Sequence, residues 1–131
     1  RSSDLHQGKM IYIDFWGPWC PPCLAEMEPL KELRKKYSTD DIVFISICRN
    51  DDRKQYKQVL DKYGMYVDGI EHIHADDLQA ESQVHKMYNQ LNIDGIPYFF
   101  IINREGVIVN YGSMMRPSYP GTAECFEEWL E

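Results

Sequence analysis

Hydrophobic positions along the chain form continuous runs in some segments and recur every three or four residues in others, and the two patterns take turns. Met10-Ile11-Tyr12-Ile13-Asp14-Phe15-Trp16 and Ile42-Val43-Phe44-Ile45-Ser46-Ile47-Cys48 are almost unbroken apolar runs rich in β-branched and aromatic residues. Such runs suit strands covered on both faces, as in a helix-flanked parallel sheet. Tyr98-Phe99-Phe100-Ile101-Ile102 and Val107-Ile108-Val109 flank Asn103-Arg104-Glu105-Gly106, a hairpin signal with glycine in the turn. The sheet is therefore expected to mix parallel and antiparallel strands. Leu24, Met27, Leu30, Leu33 and Tyr37 have helical spacing and predict one long helix ending near Tyr37. Tyr56, Val59, Leu60 and Tyr63 predict a second helix, opened by the acids of Arg49-Asn50-Asp51-Asp52 and ended by Gly64. Val84, Met87, Tyr88 and Leu91 predict a third, and Phe126, Trp129 and Leu130 anchor a closing one. Ile70-Glu71-His72-Ile73-His74 alternates as a short strand does. Residues 1–9, 92–97 and 112–121 read as a lead-in and two loops.

Composition narrows the class. The 131 residues are 44% hydrophobic and include nine Tyr, five Phe and three Trp, enough to fill the core of one α/β domain spanning residues 1–131. A formal charge of −7 leaves no broad basic face for a phosphate backbone, so no nucleic-acid partner is expected. No apolar run approaches the ~18 residues of a membrane span, so this domain is not expected to insert into a bilayer. The chain opens at Arg1 and reads as an excised domain or mature fragment of a longer precursor, whose full length could be anchored. Four cysteines are too few for a disulfide-stapled scaffold of this size, and only Cys20 and Cys23 are close in sequence.

Those two thiols sit where the first strand gives way to the first helix, in Trp19-Cys20-Pro21-Pro22-Cys23. The free amides and dipole of a helix N-terminus favour negative charge, which biases a cysteine there towards its thiolate, the form that attacks disulfides. Pro21 and Pro22 carry no amide hydrogen, so two potential donors to the Cys20 sulfur are missing. The thiolate is predicted to be less stabilised than in a donor-rich loop, and the disulfide more reducing. Trp19 flanks the pair and is a candidate cover for the sulfurs, offering flat contact area to a substrate. Half a zinc site is the competing reading, completed by Cys48, His72 or His74. No second Cys-x-x-Cys or His-x-x-x-His is present, so redox chemistry is favoured and no metal is expected. Cys48 and Cys125 read as inert buried thiols, while Met114-Met115 beside Arg116-Pro117 could border a substrate groove.

Asp14-Phe15-Trp16-Gly17-Pro18-Trp19-Cys20-Pro21-Pro22-Cys23, with Gly95-Ile96-Pro97 far downstream before an apolar hairpin, resembles the thioredoxin superfamily. Glu26 three residues after Cys23, the additional segment around 65–91, and the Ile102-Asn103-Arg104-Glu105-Gly106 hairpin resemble the TlpA/ResA-like thiol-disulfide oxidoreductases within it. The likeness implies a thioredoxin fold, a central mixed sheet flanked by helices, with a βα-type insertion before a cis-proline loop. It implies that Cys20 is an exposed attacking thiol and Cys23 a buried resolving thiol. It further implies that Pro97 follows a cis peptide bond and turns the backbone of Ile96 towards a substrate chain, which pairs as a short strand. A cis bond there is admissible because an X–Pro amide prefers trans by only ~0.5–1 kcal/mol.

Resolution by Cys23 needs a base. Glu26, one helical turn on, and Asp14, at the end of an apolar strand, are the candidates, because a carboxyl in apolar surroundings trades protons near neutrality. Two departures stand out. Pro29 lies six residues after Cys23, where the family's helix proline lies five after, which points to a displaced kink. The Ile42 to Cys48 strand offers no Lys to pair with Asp14.

The activity so implied is reduction of protein disulfides outside the cytoplasm, with no cofactor beyond the Cys20–Cys23 pair. Its partners would be disulfide-containing proteins and an upstream thiol electron donor. Alternatives are a cytosolic reductase like the tryparedoxins or nucleoredoxins and a redox-inactive thioredoxin-like module that docks peptides.

Overall fold

A computed structural model describes residues 8–49, 52–77, 86 and 95–131. Among the described residues five strands, β1 (Met10–Trp16), β2 (Ile42–Cys48), β3 (Ile70–His74), β4 (Tyr98–Ile102) and β5 (Ile108–Gly112), form one sheet in the order β3-β2-β1-β4-β5. β1 lies at the centre, and every one of its seven residues is buried. It pairs in parallel with β2, from Met10 opposite Ile42 to Trp16 opposite Cys48, and antiparallel with β4. β3 extends the parallel half and β5 the antiparallel half. The expected mixture of strand directions is what the two apolar runs and the hairpin produce.

The period of two along each strand divides the core. Met10, Tyr12, Trp16, Phe44, Cys48 and Phe99 face one side, and Ile11, Ile13, Phe15, Ile45, Ile47 and Phe100 the other. The first side is covered by α2 (Met27–Lys35), α3 (Arg53–Lys62) and α4 (Pro120–Leu130), which send Leu30, Leu60 and Phe126 into it. Phe126 is fully buried and meets Tyr12, Tyr37 and Phe44 edge-on at 5.2, 5.4 and 6.0 Å, an arrangement aromatic rings prefer to a face-to-face sandwich. α3 starts where Asp52 accepts the amides of Lys54 and Gln55, a side-chain cap of the first turn.

Two expectations are corrected. The helix read as continuous from Leu24 to Tyr37 is broken into α1 (Pro21–Ala25) and α2, with Glu26 between them outside helical geometry. The cause is Pro29. It has no amide to donate to the carbonyl of Ala25 four residues back, and its ring would crowd that carbonyl. The stretch 112–121, read as loop, instead completes β5 at Gly112, makes a 3-10 turn at Ser113–Met115 and begins α4 at Pro120. Proline is favourable in a first helical turn, which its reading as a loop residue overlooked. The helix expected at Val84, Met87, Tyr88 and Leu91 lies outside the described residues.

Candidate active site

β1, β2 and β3 run parallel, so their carboxyl ends, Trp16, Cys48 and His74, lie at one edge of the sheet. Ligand sites of open α/β sheets form at such an edge. The chain leaves β1 through Gly17-Pro18-Trp19, where the Cys20 amide donates to the Gly17 carbonyl at 3.1 Å, and enters α1 at Pro21. The Trp19 ring lies so close over Gly17 that a Cβ there would overlap it. Trp19 itself is 54% exposed, an open face at the mouth of the site.

Cys20 is the N-cap of α1, and Cys20 and Cys23 are joined in a disulfide with Cα atoms 5.2 Å apart. The Cys23 amide donates to the Cys20 sulfur at 3.3 Å. An N-cap side chain takes its hydrogen bond from the second or third residue of the helix; here the second is Pro22, so Cys23 is the one amide of that pair left to give it. Cys20, expected at the surface, is only 7% exposed, and Cys23 is 3% exposed. The Cys20 sulfur is screened because it lies 3.7 Å from the carbonyl oxygen of Ile96. The Ile96–Pro97 bond is cis. The Pro97 carbonyl accepts the Ser113 hydroxyl at 2.8 Å, which ties this loop to the turn after β5.

Asp14 is on β1, on the face covered by α2, and is 7% exposed. Burial pushes its carboxyl up from 3.8 to about 7, against the lowering effect of a 2.8 Å hydrogen bond donated by the Ser46 hydroxyl and another from the Ile47 backbone. Ser46 stands opposite Asp14 in the β1–β2 register, in the strand that offered no lysine. Sequence reading missed it as a partner; the matched apolar runs could have revealed it once their register was fixed. Asp14, Cys23, Glu26 and Pro97 line one small cavity of about 10 Å³, closed by Trp16, Met27 and Phe99 and with room for about one water. The structure thus brings four of the predicted site residues together behind the disulfide. Ile96 lies at the Cys20 sulfur, and Trp19 stands apart from the cavity.

Glu26 is half-buried and bonded at both carboxylate oxygens to one residue: the Ser118 amide donates to Oε1 at 2.9 Å and its hydroxyl to Oε2 at 2.8 Å. Ser118 lies 92 positions away and carried no signal in the sequence. Tyr12, below them, donates its hydroxyl to the Met115 carbonyl at 2.6 Å; burial, then the charges of Asp14 and Glu26, hold that phenol in its neutral form.

His72 and His74 stand opposite Ser46 and Cys48 in the β2–β3 register. His72 Nε2 contacts the Met65 carbonyl at 2.7 Å, and His74 Nδ1 accepts the Asp76 amide at 3.2 Å. Among the described residues no group of three or more His, Cys, Asp or Glu is placed to hold a metal ion. Nor is any described helix long and apolar enough to cross a membrane.

A family model described as thioredoxin-like matches residues 8–108. The thiol-disulfide oxidoreductase ResA of Halalkalibacterium halodurans is 27% identical over 130 residues, covering 95% of this chain and 62% of that protein. The chain thus spans less than two thirds of that relative's length. The solution structure of a candidate thiol-disulfide oxidoreductase from Bacteroides vulgatus is 36% identical, with a TM-score of 0.72 over 97% of this chain and 77% of the other. A candidate thiol:disulfide interchange protein DsbE from Chlorobium tepidum, 17% identical, shares the fold with a TM-score of 0.75 over 98% of this chain and 84% of that one.

Proposed function

We propose that this chain, which belongs to the thioredoxin-like family, reduces protein disulfides by dithiol–disulfide exchange and does so outside the cytoplasm. The carrying observation is the Cys20–Cys23 disulfide at the start of α1, with the Cys20 sulfur 3.7 Å from the Ile96 carbonyl. The names of its relatives support the reaction, and its likeness to the TlpA/ResA-like branch supports the compartment.

In the reduced protein the Cys20 thiolate attacks one sulfur of the substrate disulfide. A bond forms between Cys20 and that sulfur, the substrate's own bond breaks, and its second sulfur leaves as a thiolate that takes up a proton. The Ile96 backbone, which lies at the Cys20 sulfur, and the exposed Trp19 ring hold the substrate chain beside Cys20. Cys23 then loses its proton, attacks the Cys20 sulfur and releases the substrate's first thiol, so that two electrons pass to the substrate and the Cys20–Cys23 disulfide forms. An upstream dithiol donor restores the reduced state. The two cysteines carry all the electrons, and the reading requires no further cofactor.

Asp14 is the base for Cys23. Its carboxyl titrates at about 7, where it takes up and gives back a proton at small cost, and it shares a one-water cavity with Cys23. Glu26 opens from the same cavity towards the surface and hands the proton on, with Ser118 holding its carboxylate in place.

Insulin reduction with a dithiol donor, together with partner capture by a Cys23→Ser variant, tests the reading. Turnover by the native chain, and mixed disulfides that accumulate on Cys20 in the variant, are expected. A chain that neither reduces insulin nor traps a partner is the peptide-docking module instead.

A further inference from the structure

A groove of about 580 Å³ runs between β5 and α4, starting at Met114 and Met115. It adjoins the exchange site through two consecutive carbonyls. That of Ile96 touches the Cys20 sulfur, and that of Pro97 accepts the hydroxyl of Ser113, the residue before Met114. Its walls carry apolar side chains that are open to solvent: Tyr111 is 61%, Met114 62% and Trp129 38% exposed. Exposed apolar side chains gathered in one concave surface mark a binding site more often than a bare surface. Glu124 and Glu128, one turn apart on α4 and both exposed, line the same groove, and among the described residues no lysine or arginine does. Arg116 lies over the Tyr119 ring, 5.8 Å from its centroid, at the Met115 end, so the acidic half of the groove is the half further along α4. Cys125 is buried in the groove floor, and burial, then the Glu128 carboxylate, pushes its thiol up, opposed by Asn110. A thiol so disposed is a poor nucleophile, which makes this a place to bind a chain and not a second exchange centre.

We propose that the groove is an exosite for the substrate protein: it takes an extended segment flanking the reactive disulfide that carries arginine or lysine beside an apolar residue. The cation pairs with Glu124 and Glu128 while its stem and the apolar neighbour cover Tyr111, Met114 and Trp129. This inference rests on the reading that Cys20 exchanges disulfides with proteins, and it adds which proteins are preferred.

The test compares two synthetic peptides with the same disulfide, one flanked by Arg-Leu-Arg and one by Gln-Leu-Gln, with hydroxyethyl disulfide as a substrate too small to reach the groove. The native chain should favour the arginine peptide about fivefold in kcat/KM at low salt, the value of two exposed charge pairs, and salt should erase the preference. In the Glu124→Gln/Glu128→Gln double variant the preference should vanish while hydroxyethyl disulfide is reduced at the native rate. No preference in the native chain, or one that survives in the double variant, overturns the proposal. If hydroxyethyl disulfide is itself not reduced, it is the exchange reading that fails. The groove is then judged on a Cys20→Ser/Cys23→Ser variant and a cysteine-free arginine peptide, whose NMR shifts should fall on Met114 and the Trp129 indole. Shifts elsewhere overturn it, as does a sedimentation mass that rises with concentration in the native chain and not in Met114→Ala, which would assign the groove to a second copy.

Discussion

Two of the described helices have proline in their first turn and a buried cysteine at or within them, and of these two one is built for chemistry. Cys20 at the head of α1 and Cys125 within α4 are almost equally hidden, 7% and 8% exposed. Cys20 caps its helix and receives the Cys23 amide, whereas α4 is preceded by Tyr119, which makes no side-chain cap, and Cys125 falls beyond the first turn. The partial positive charge of a helix start fades within that turn, so Cys125 gains nothing from it, and burial, with a nearby carboxylate, raises its thiol against a hydrogen bond with Asn110. Placement relative to the helix end, and not exposure, separates the reactive sulfur from the inert one.

The largest expected difference is between the two cysteines themselves. Cys20→Ser should lower insulin reduction by about 10³-fold or more, the scale of losing an attacking nucleophile. Cys125→Ser should leave the rate within about twofold, because it touches no step of the exchange. Equal losses would abolish the contrast.

A smaller effect is expected behind the disulfide. Glu26→Gln should slow release of a mixed disulfide about tenfold at pH 7, and Ser118→Ala, which removes one of the two hydrogen bonds to Glu26, about threefold. Stopped-flow release rates measure both. A Ser118→Ala variant as slow as Glu26→Gln would mean that Ser118 has a role of its own.

The smallest concerns the helix start. Pro22 occupies the second helical position, from which an amide could reach the Cys20 sulfur. Pro22→Ala supplies that donor, stabilises the thiolate of the reduced state, and should raise the reduction potential by about 30 mV in equilibration with glutathione. An unchanged or lower value would show that the Cys23 amide already saturates the sulfur.

Much of this was legible in the chain. β1, β2 and the hairpin strands announce themselves as apolar runs, and the strand–cysteine–helix junction fixes where the thiols sit. Even the break at Glu26 was written in Pro29, four residues past Ala25, although the apolar spacing alone read straight through it. What escaped was pairing over long separations. Ser46 meets Asp14 only through the β1–β2 register, and Ser118 reaches Glu26 only because the turn after β5 folds back over α1. Ser118 does not differ in the sequence from a solvent-facing serine, and Ser46, though set in an apolar run, has no partner until the register is known. The screening of Cys20 by Ile96, 76 residues away, is hidden for the same reason.

The claim on which the site depends is that Asp14 takes the proton from Cys23. The direct measurement is the rate at which a mixed disulfide on Cys20 is resolved, followed from pH 5 to pH 9 in the native chain, in Asp14→Asn and in Glu26→Gln. Ionised Asp14 is the active base, so the native rate should rise with pH through an inflection near 7, where its carboxyl titrates. That inflection should persist in Glu26→Gln at a lower rate. In Asp14→Asn it should be gone, leaving only the rise set by the Cys23 thiol at higher pH. A native-like inflection in Asp14→Asn would contradict the account.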